Sequence, residues 1–243
     1  MTKRSVLNEL KASASKSYAI KLKKFFKTKP GTYGEKDVFI GVSVPKIRAI
    51  VKRHPNLNQA DIESFIHSKI HEQRLMGLIY WERIYSSGDD KTKKTIYNLY
   101  LKNIRQINNW DLVDISAHKI IGSYLLLGNK NKLYTLAKSN DLWERRIAIV
   151  STFCFIKKGL FNETFQIASM LLKDKEDLIH KAVGWMLREV GKKDILALEQ
   201  FLKKYYRVMP RTMLRYAIEK FPEKRRKEYL KGLIQRQADD KVL

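Results

Sequence analysis

The feature that most constrains this chain is how rarely its backbone is broken. Eleven glycines and five prolines are spread over 243 residues, too few to punctuate the many short strands and turns of a β-protein. Long elements joined by short turns are the alternative, and they favour helices. The spacing of apolar residues agrees. Leu75, Leu78, Ile79 and Glu82 keep the interval of one helix face, as do Ile147, Val150 and Cys154, while the two-residue alternation of a strand is essentially missing. One stretch departs from this, residues 28–46. There Thr28-Lys29-Pro30-Gly31-Thr32-Tyr33-Gly34 and Gly41-Val42-Ser43-Val44-Pro45 make a loop. Pro45 suits the first turn of a helix over about 45–53, because the N–H it lacks would have no helical partner there anyway.

The helices recur with a loose period. Four segments each lead from a short polar turn into an apolar helix: His71-Glu72-Gln73-Arg74-Leu75-Met76-Gly77, Trp110-Asp111-Leu112-Val113-Asp114-Ile115-Ser116, Trp143-Glu144-Arg145-Arg146-Ile147-Ala148 and Leu178-Ile179-His180-Lys181-Ala182-Val183-Gly184-Trp185. Superposing them puts Arg74, Asp114, Arg146 and Lys181 at one position, successively 40, 32 and 35 residues apart. Intervals of this size belong to helical-pair repeats of the HEAT and armadillo type. The expected fold is therefore all-α, with HEAT-like helical pairs forming one curved α-solenoid domain over residues 1–243. The inner helices of such a solenoid line a concave groove. In this alignment the groove is basic, with a single carboxylate, Asp114, inside it.

Charge narrows the partner. Lysine and arginine number 49 against 25 acidic residues, a formal net charge of +24. A compact chain with that much self-repulsion favours a polyanion as its partner; a merely well-solvated lysine surface is the bland alternative. No helix concentrates the basic residues opposite a wide apolar face, which disfavours a membrane surface. There is no run of about 18 apolar residues to span a bilayer. Met1-Thr2-Lys3-Arg4-Ser5 leads into mixed polar sequence rather than an apolar signal segment. The lone cysteine, Cys154, sits in the apolar run Ile149–Ile156 and reads as an inert core residue. It rules out a disulfide framework or a zinc–cysteine cluster. A cytoplasmic monomer (in the bacterial cytosol or nucleoid) with no metal and no cofactor is expected.

Three short constellations could carry chemistry. In Asn108-Asn109-Trp110-Asp111, either asparagine can cap a helix, and Asp111 then lies in its first turn, where an acid favours the helix dipole. That explanation does not extend to Asp114, one turn further in. Trp110 and Asp114 share a face at i and i+4, an arrangement suited to a flat cationic ligand, although a core tryptophan beside a solvated aspartate has the same pattern. In Trp143-Glu144-Arg145-Arg146 the two arginines cannot share a face, so one turns inward, where it could grip phosphate in bidentate fashion. In the third, Lys181 and Trp185 again pair cation with aromatic at i and i+4, Arg188 continues that side, and Gly184 either permits close packing or leaves room for something bulky. His118 lies four residues after Asp114 and reads equally as its partner or as a core histidine. His67 and His71 have an i, i+4 spacing without a metal-site context. No phosphate-binding glycine loop and no Ser/His/Asp arrangement is present.

With these residues in view, the sequence resembles the AlkD-type DNA alkylation-repair glycosylases, a HEAT-like repeat family that removes alkylated purines. The likeness runs from Phe39-Ile40-Gly41-Val42-Ser43-Val44-Pro45, through Trp110-Asp111-Leu112-Val113-Asp114 and Leu142-Trp143-Glu144-Arg145-Arg146, to Lys181-Ala182-Val183-Gly184-Trp185-Met186-Leu187-Arg188-Glu189. The N-terminal 30 residues and the tail after Phe221 match the family in character only. The resemblance implies that Asp114 is the catalytic aspartate, Trp110 and Trp185 are aromatic walls of the site, and Arg146 holds the DNA backbone beside the lesion. Arg145, Lys181 and Arg188 are further candidate DNA contacts. It also implies a lesion that need not be flipped into a pocket, unlike the substrates of most base-acting enzymes. The expected activity is hydrolysis of the N-glycosidic bond of cationic N3- or N7-alkylpurines in double-stranded DNA. A non-catalytic nucleic-acid binder on the same scaffold, or a protein–protein scaffold, would carry the repeats without the chemistry.

Overall fold

A computed structural model describes residues 2–234 of the chain. Among the described residues there is no strand, and one parallel bridge, Val38 to Ile70, is the sole sheet-like contact. The chain divides into two compact units, Met1–Ser116 and Ala117–Leu243, so the division falls inside helix Trp110–Ala117. Helical pairs recur in both units, one helix leading through a turn into the next. Gln59–Ile66 precedes His71–Ser87 and Asp90–Lys102 precedes Trp110–Ala117; Asn131–Ala137 precedes Leu142–Ser151 and Asn162–Met170 precedes Asp177–Lys193. The all-α, helical-pair fold expected from the sequence is the fold observed.

Local chemistry explains where many of these helices begin. Asn58, Asp89, Asp141 and Asp194 each accept a backbone N–H of the first turn through a side-chain oxygen, at 2.7 to 3.1 Å, which satisfies a donor the helix itself cannot. Pro45 is the second residue of helix Val44–Arg53, as its fixed φ and missing N–H allow. The second helices are the buried ones. Leu75, Met76, Leu78, Ile79, Tyr80 and Trp81 form the core of the first unit around His71–Ser87. Ile147 to Val150, and then Ile179, Val183, Met186, Leu187 and Val190, do the same in the second. Gly184 belongs to this packing: a Cβ there would lie 2.5 Å from both the Met213 carbonyl oxygen and Tyr216 Cβ. The glycine therefore lets helix Asp177–Lys193 approach helix Arg211–Ala217 closely. Just past the division, His118–Gly122 is a π-helical turn, and Gly122 has the Ser151 carbonyl 2.1 Å from where a Cβ would stand.

The structure corrects the repeat register. Arg74, Arg145 and His180 are each the fourth residue of their helix. Each donates back to the carbonyl six residues earlier: Arg74 to Ser68 at 2.9 Å, Arg145 to Ser139 at 3.0 Å and His180 to Asp174 at 2.6 Å. Both arginines also reach the next carbonyl, of Lys69 and Asn140. Arg74 is therefore the counterpart of Arg145. The residue equivalent to Asp114, Arg146 and Lys181 is Leu75, which is buried in the core. A side chain that must fold back over its own turn fixes this position more firmly than apolar spacing does.

The loop at residues 37–42 is held by the start of helix His71–Ser87. Glu72, buried, accepts from the amides of Ile40 at 3.1 Å, Gly41 at 2.8 Å and Val42 at 3.3 Å. Gly41 has φ 85°, and a Cβ there would lie 2.1 Å from the Ser15 carbonyl oxygen, so only glycine lets the loop pass this close to the start of helix Lys16–Phe25. Replacing Glu72 by Ala orphans three amides, of which those of Gly41 and Val42 are buried and that of Ile40 is half-buried. Each costs about 1–3 kcal/mol, and the urea midpoint of Glu72→Ala is expected to fall by the equivalent of at least about 3 kcal/mol with its m-value unchanged.

Candidate active site

In the first unit the site residues rest on a buried ionic network. His71, 2 % exposed, lies between two carboxylates, with Nδ1 3.1 Å from Asp37 and Nε2 2.8 Å from Asp111. Arg74 donates to the other oxygen of Asp37, and Asn109 donates to Asp37 at 2.7 Å. Asn109 in turn accepts from Trp110 N at 2.8 Å through its side chain and from Val113 N at 3.2 Å through its carbonyl. That starts helix Trp110–Ala117. Burial alone would pull the His71 pKa down, but its hydrogen bonds to Asp111 and Asp37, and their charges, lift it to about 9. Burial pushes Asp37 up, yet the His71 hydrogen bond and the Arg74 charge hold it below the usual carboxylate value. The network is thus two carboxylates against an imidazolium and a guanidinium, with no net charge.

Trp110 lies over this network. It is half-buried, stacked on Phe26 at 5.0 Å between centroids and 15° between planes, with the edge of Phe25 at 5.5 Å. Phe26 stacks on Phe39, and Phe39 stacks on His71 at 4.6 Å. One turn further along the same helix is Asp114, also half-buried. Tyr100 lies near enough for its proton to register that charge: burial holds the phenol well above its ordinary pKa, and Asp114 adds to this while the Ser116 hydroxyl, 3.0 Å away, opposes it.

The second unit holds the remaining candidates. Arg146 is 5 % exposed and donates to the carbonyl of Leu178. Trp185 is half-buried against Phe153, 5.9 Å away. Phe153 also takes the edge of His118 at 5.3 Å and the Lys157 ammonium at 4.4 Å. Burial, helped by Lys157 and Lys119, pulls His118 down to about 4, so its ring is neutral near pH 7. Lys181 pairs with Asp177 at 2.7 Å, and Arg188 with Glu219. Arg145 is held inside the fold, its Nε 2.6 Å from Asp174 and its Nη1 on two carbonyls. Cys154 is half-buried, and burial pushes its thiol up to about 12.

Sequence reasoning reaches Trp110 and Asp114 but misses what fixes them. Asp37 carries no motif, the spacing of His71 suggests nothing beyond a weak metal site, and the place of Asp111 in a first turn suggests only a helix-dipole acid. The signal that could find the network is the recurring cation at the fourth helical position, Arg74 and Arg145, which needs a buried acid to meet it.

A helical-pair repeat protein that sets a half-buried aspartate one turn from a stacked tryptophan is the class that fold and site define. The sequence profile of the family described as DNA alkylation repair enzyme matches residues 6–221, and the chain belongs to that family. The match reaches further toward the N-terminus than the motif likeness does. A solved structure described as a predicted DNA alkylation repair enzyme from Enterococcus faecalis has the same fold, with a TM-score of 0.67 at 18% identity over 87% of this chain and 98% of that one. No curated protein matches the sequence. No helix among the described residues is long and apolar enough to cross a membrane.

The His71 network makes a pH prediction. A histidine whose pKa is raised from 6.5 to about 9 on folding binds more protons in the folded state than in the unfolded one. Its contribution is complete below about pH 6.5 and is lost as pH rises toward 9, at up to about 1.4 kcal/mol per pH unit. Urea unfolding of the wild type across this range should show the decline, and His71→Gln should flatten it.

Proposed function

We propose that the protein is a DNA glycosylase that hydrolyses the N-glycosidic bond of N3- or N7-alkylated purines in duplex DNA. The observation that carries this reading is Asp114: a half-buried carboxylate, one turn from Trp110, on a helix whose first turn is tied down by buried charges, in a chain of the DNA alkylation repair family. An alkylated purine of this kind is cationic, so its departure with the glycosidic electron pair leaves a neutral base. The reaction then needs little of the general-acid help that ordinary glycosides take from a second carboxylate. The sugar becomes oxocarbenium-like, water adds its oxygen to C1′, and one proton is released.

Asp114 stabilises the developing positive charge and orients that water. Trp110 and Trp185 offer aromatic faces to the cationic base and sugar. Arg146 holds the sugar-phosphate backbone, and the wider basic surface supplies salt-sensitive, sequence-independent affinity. Lys181 and Arg188 contact phosphate by exchanging their present partners, Asp177 and Glu219. We assign Arg145 to holding the turn before its helix, since its guanidinium is occupied by Asp174 and two carbonyls. The protein acts as a monomer in the cytoplasm and needs no cofactor.

Incubating the protein with methylated duplex and chromatographing the released bases tests the reading. Asp114→Asn should lower release of 7-methylguanine by about 10²–10⁴-fold while leaving duplex affinity within a few-fold of wild type. Full activity in that variant would overturn the role of Asp114. Duplex binding by wild type with no base release would make the protein a non-catalytic binder.

A further inference from the structure

We propose that helix Lys16–Phe25 and the turn after it form a phosphate-binding surface that seats duplex DNA beside Trp110. This rests on DNA being the substrate and goes beyond the residues of the glycosylase reading. Between Glu9 and Glu35 the sequence has no carboxylate and seven lysines: Lys11, Lys16, Lys21, Lys23, Lys24, Lys27 and Lys29. All seven are exposed. None forms an ion pair with a described residue, whereas Lys102, Lys181, Lys192, Lys220 and Lys227 all do. The fold leaves this segment without a counter-charge.

The surface is also ordered for a ligand. Helix Lys16–Phe25 buries only Ala19. Lys16, Ile20 and Lys24 follow one another at helical spacing along its outer side, and Lys21 and Phe25 share the neighbouring line. Phe25, 63 % exposed, is the residue whose edge meets Trp110, so the lysine line ends at the candidate site. Beyond the helix, Lys27 turns into the left-handed region at φ 50°. The turn is closed by Thr28 N on the Lys23 carbonyl at 3.1 Å, and by the Thr32 hydroxyl on the carbonyls of Lys27 and Lys29. The backbone under Lys27 and Lys29 is therefore set before any ligand arrives, which reduces the ordering cost of binding.

A duplex fits this chemistry better than a membrane does. It carries about one charge per 1.7 Å of axis, and a ten-residue helix spans about 15 Å, so each outward lysine has phosphate within reach. A bilayer would ask for a wide apolar face, and this helix exposes only scattered apolar side chains, chiefly Ile20 and Phe25.

The test is the salt dependence of binding to an unmodified duplex, read by fluorescence anisotropy with the full chain. Every phosphate left without its lysine should reduce the log–log salt slope by about 0.9. Lys21→Ala/Lys24→Ala should therefore lower it by about 1.8. Lys91→Ala/Lys94→Ala, which removes two exposed lysines from another helix of the same unit, should lower it by less than half as much. Equal effects of the two variants would overturn the proposal in favour of diffuse charge. So would an unchanged slope in Lys21→Ala/Lys24→Ala together with abolished binding to phosphatidylserine vesicles. In base release, Lys21→Ala/Lys24→Ala should raise KM and leave kcat unchanged. If the wild type releases no base, the glycosylase reading falls, and the duplex-binding comparison still decides this one.

Discussion

Burying ions is costly unless every charge is answered and every lone pair or proton is bonded. The Asp37–His71–Asp111 arrangement, with Arg74 and Asn109, answers each charge and leaves the Arg74 Nε without a hydrogen-bond partner, and the first unit is organised around it. It joins three stretches far apart in sequence: the loop holding Asp37, the start of helix His71–Ser87, and the start of helix Trp110–Ala117. An apolar core tolerates small slips of one helix past another, because one methyl group replaces another at little cost. A doubly bonded imidazolium does not, since a shift of an ångström leaves a buried charge without its partner. The network therefore fixes the rotation of helix Trp110–Ala117, and with it the direction in which Trp110 and Asp114 are presented.

Much of the fold was legible because it depends on local chemistry. The scarcity of glycine and proline, the helical spacing of Leu75, Leu78 and Ile79, and the position of Pro45 each report on a few neighbouring residues, and the structure agrees with them. Gly184 was legible as an oddity, and the reason is packing against Met213 and Tyr216. The register of the first repeat was not legible. Apolar spacing placed Arg74 opposite Asp114, whereas hydrogen bonds to backbone carbonyls place it opposite Val113 and Arg145. A shift of one residue turns a side chain by about 100° around the helix, enough to move it from the presented face into the core.

The site was legible where it is made of unusual residues on one turn of helix, and illegible where it is made of partners. Asp111 and Asp114 are both aspartates of the same helix, three residues apart, and sequence gives no rule for which is buried in an ion pair. His71 decides it: the acid that meets a buried histidine at 2.8 Å is Asp111, while Asp114, one turn further on, is only half-buried. The second unit makes the same distinction between adjacent arginines. Arg145 is tied to Asp174 and two carbonyls, while Arg146 bonds a carbonyl at the start of helix Asp177–Lys193. In both cases long-range polar contacts separate neighbours that composition and spacing treat alike.

The cradle formed by the amides of Ile40, Gly41 and Val42 has a consequence for a chain carrying +24 charges. Successive N–H groups aimed at one point are a common way for proteins to capture phosphate. Here the cradle is already filled by a tethered anion, Glu72, whose local concentration no diffusing phosphate can match. In a chain with 49 cationic side chains against 25 acidic ones, this self-liganding closes one backbone trap close to the aromatic cluster. On the function proposed above, a nucleic acid sliding along the molecule would meet lysine side chains, which exchange phosphates quickly, rather than a rigid nest that arrests it out of register.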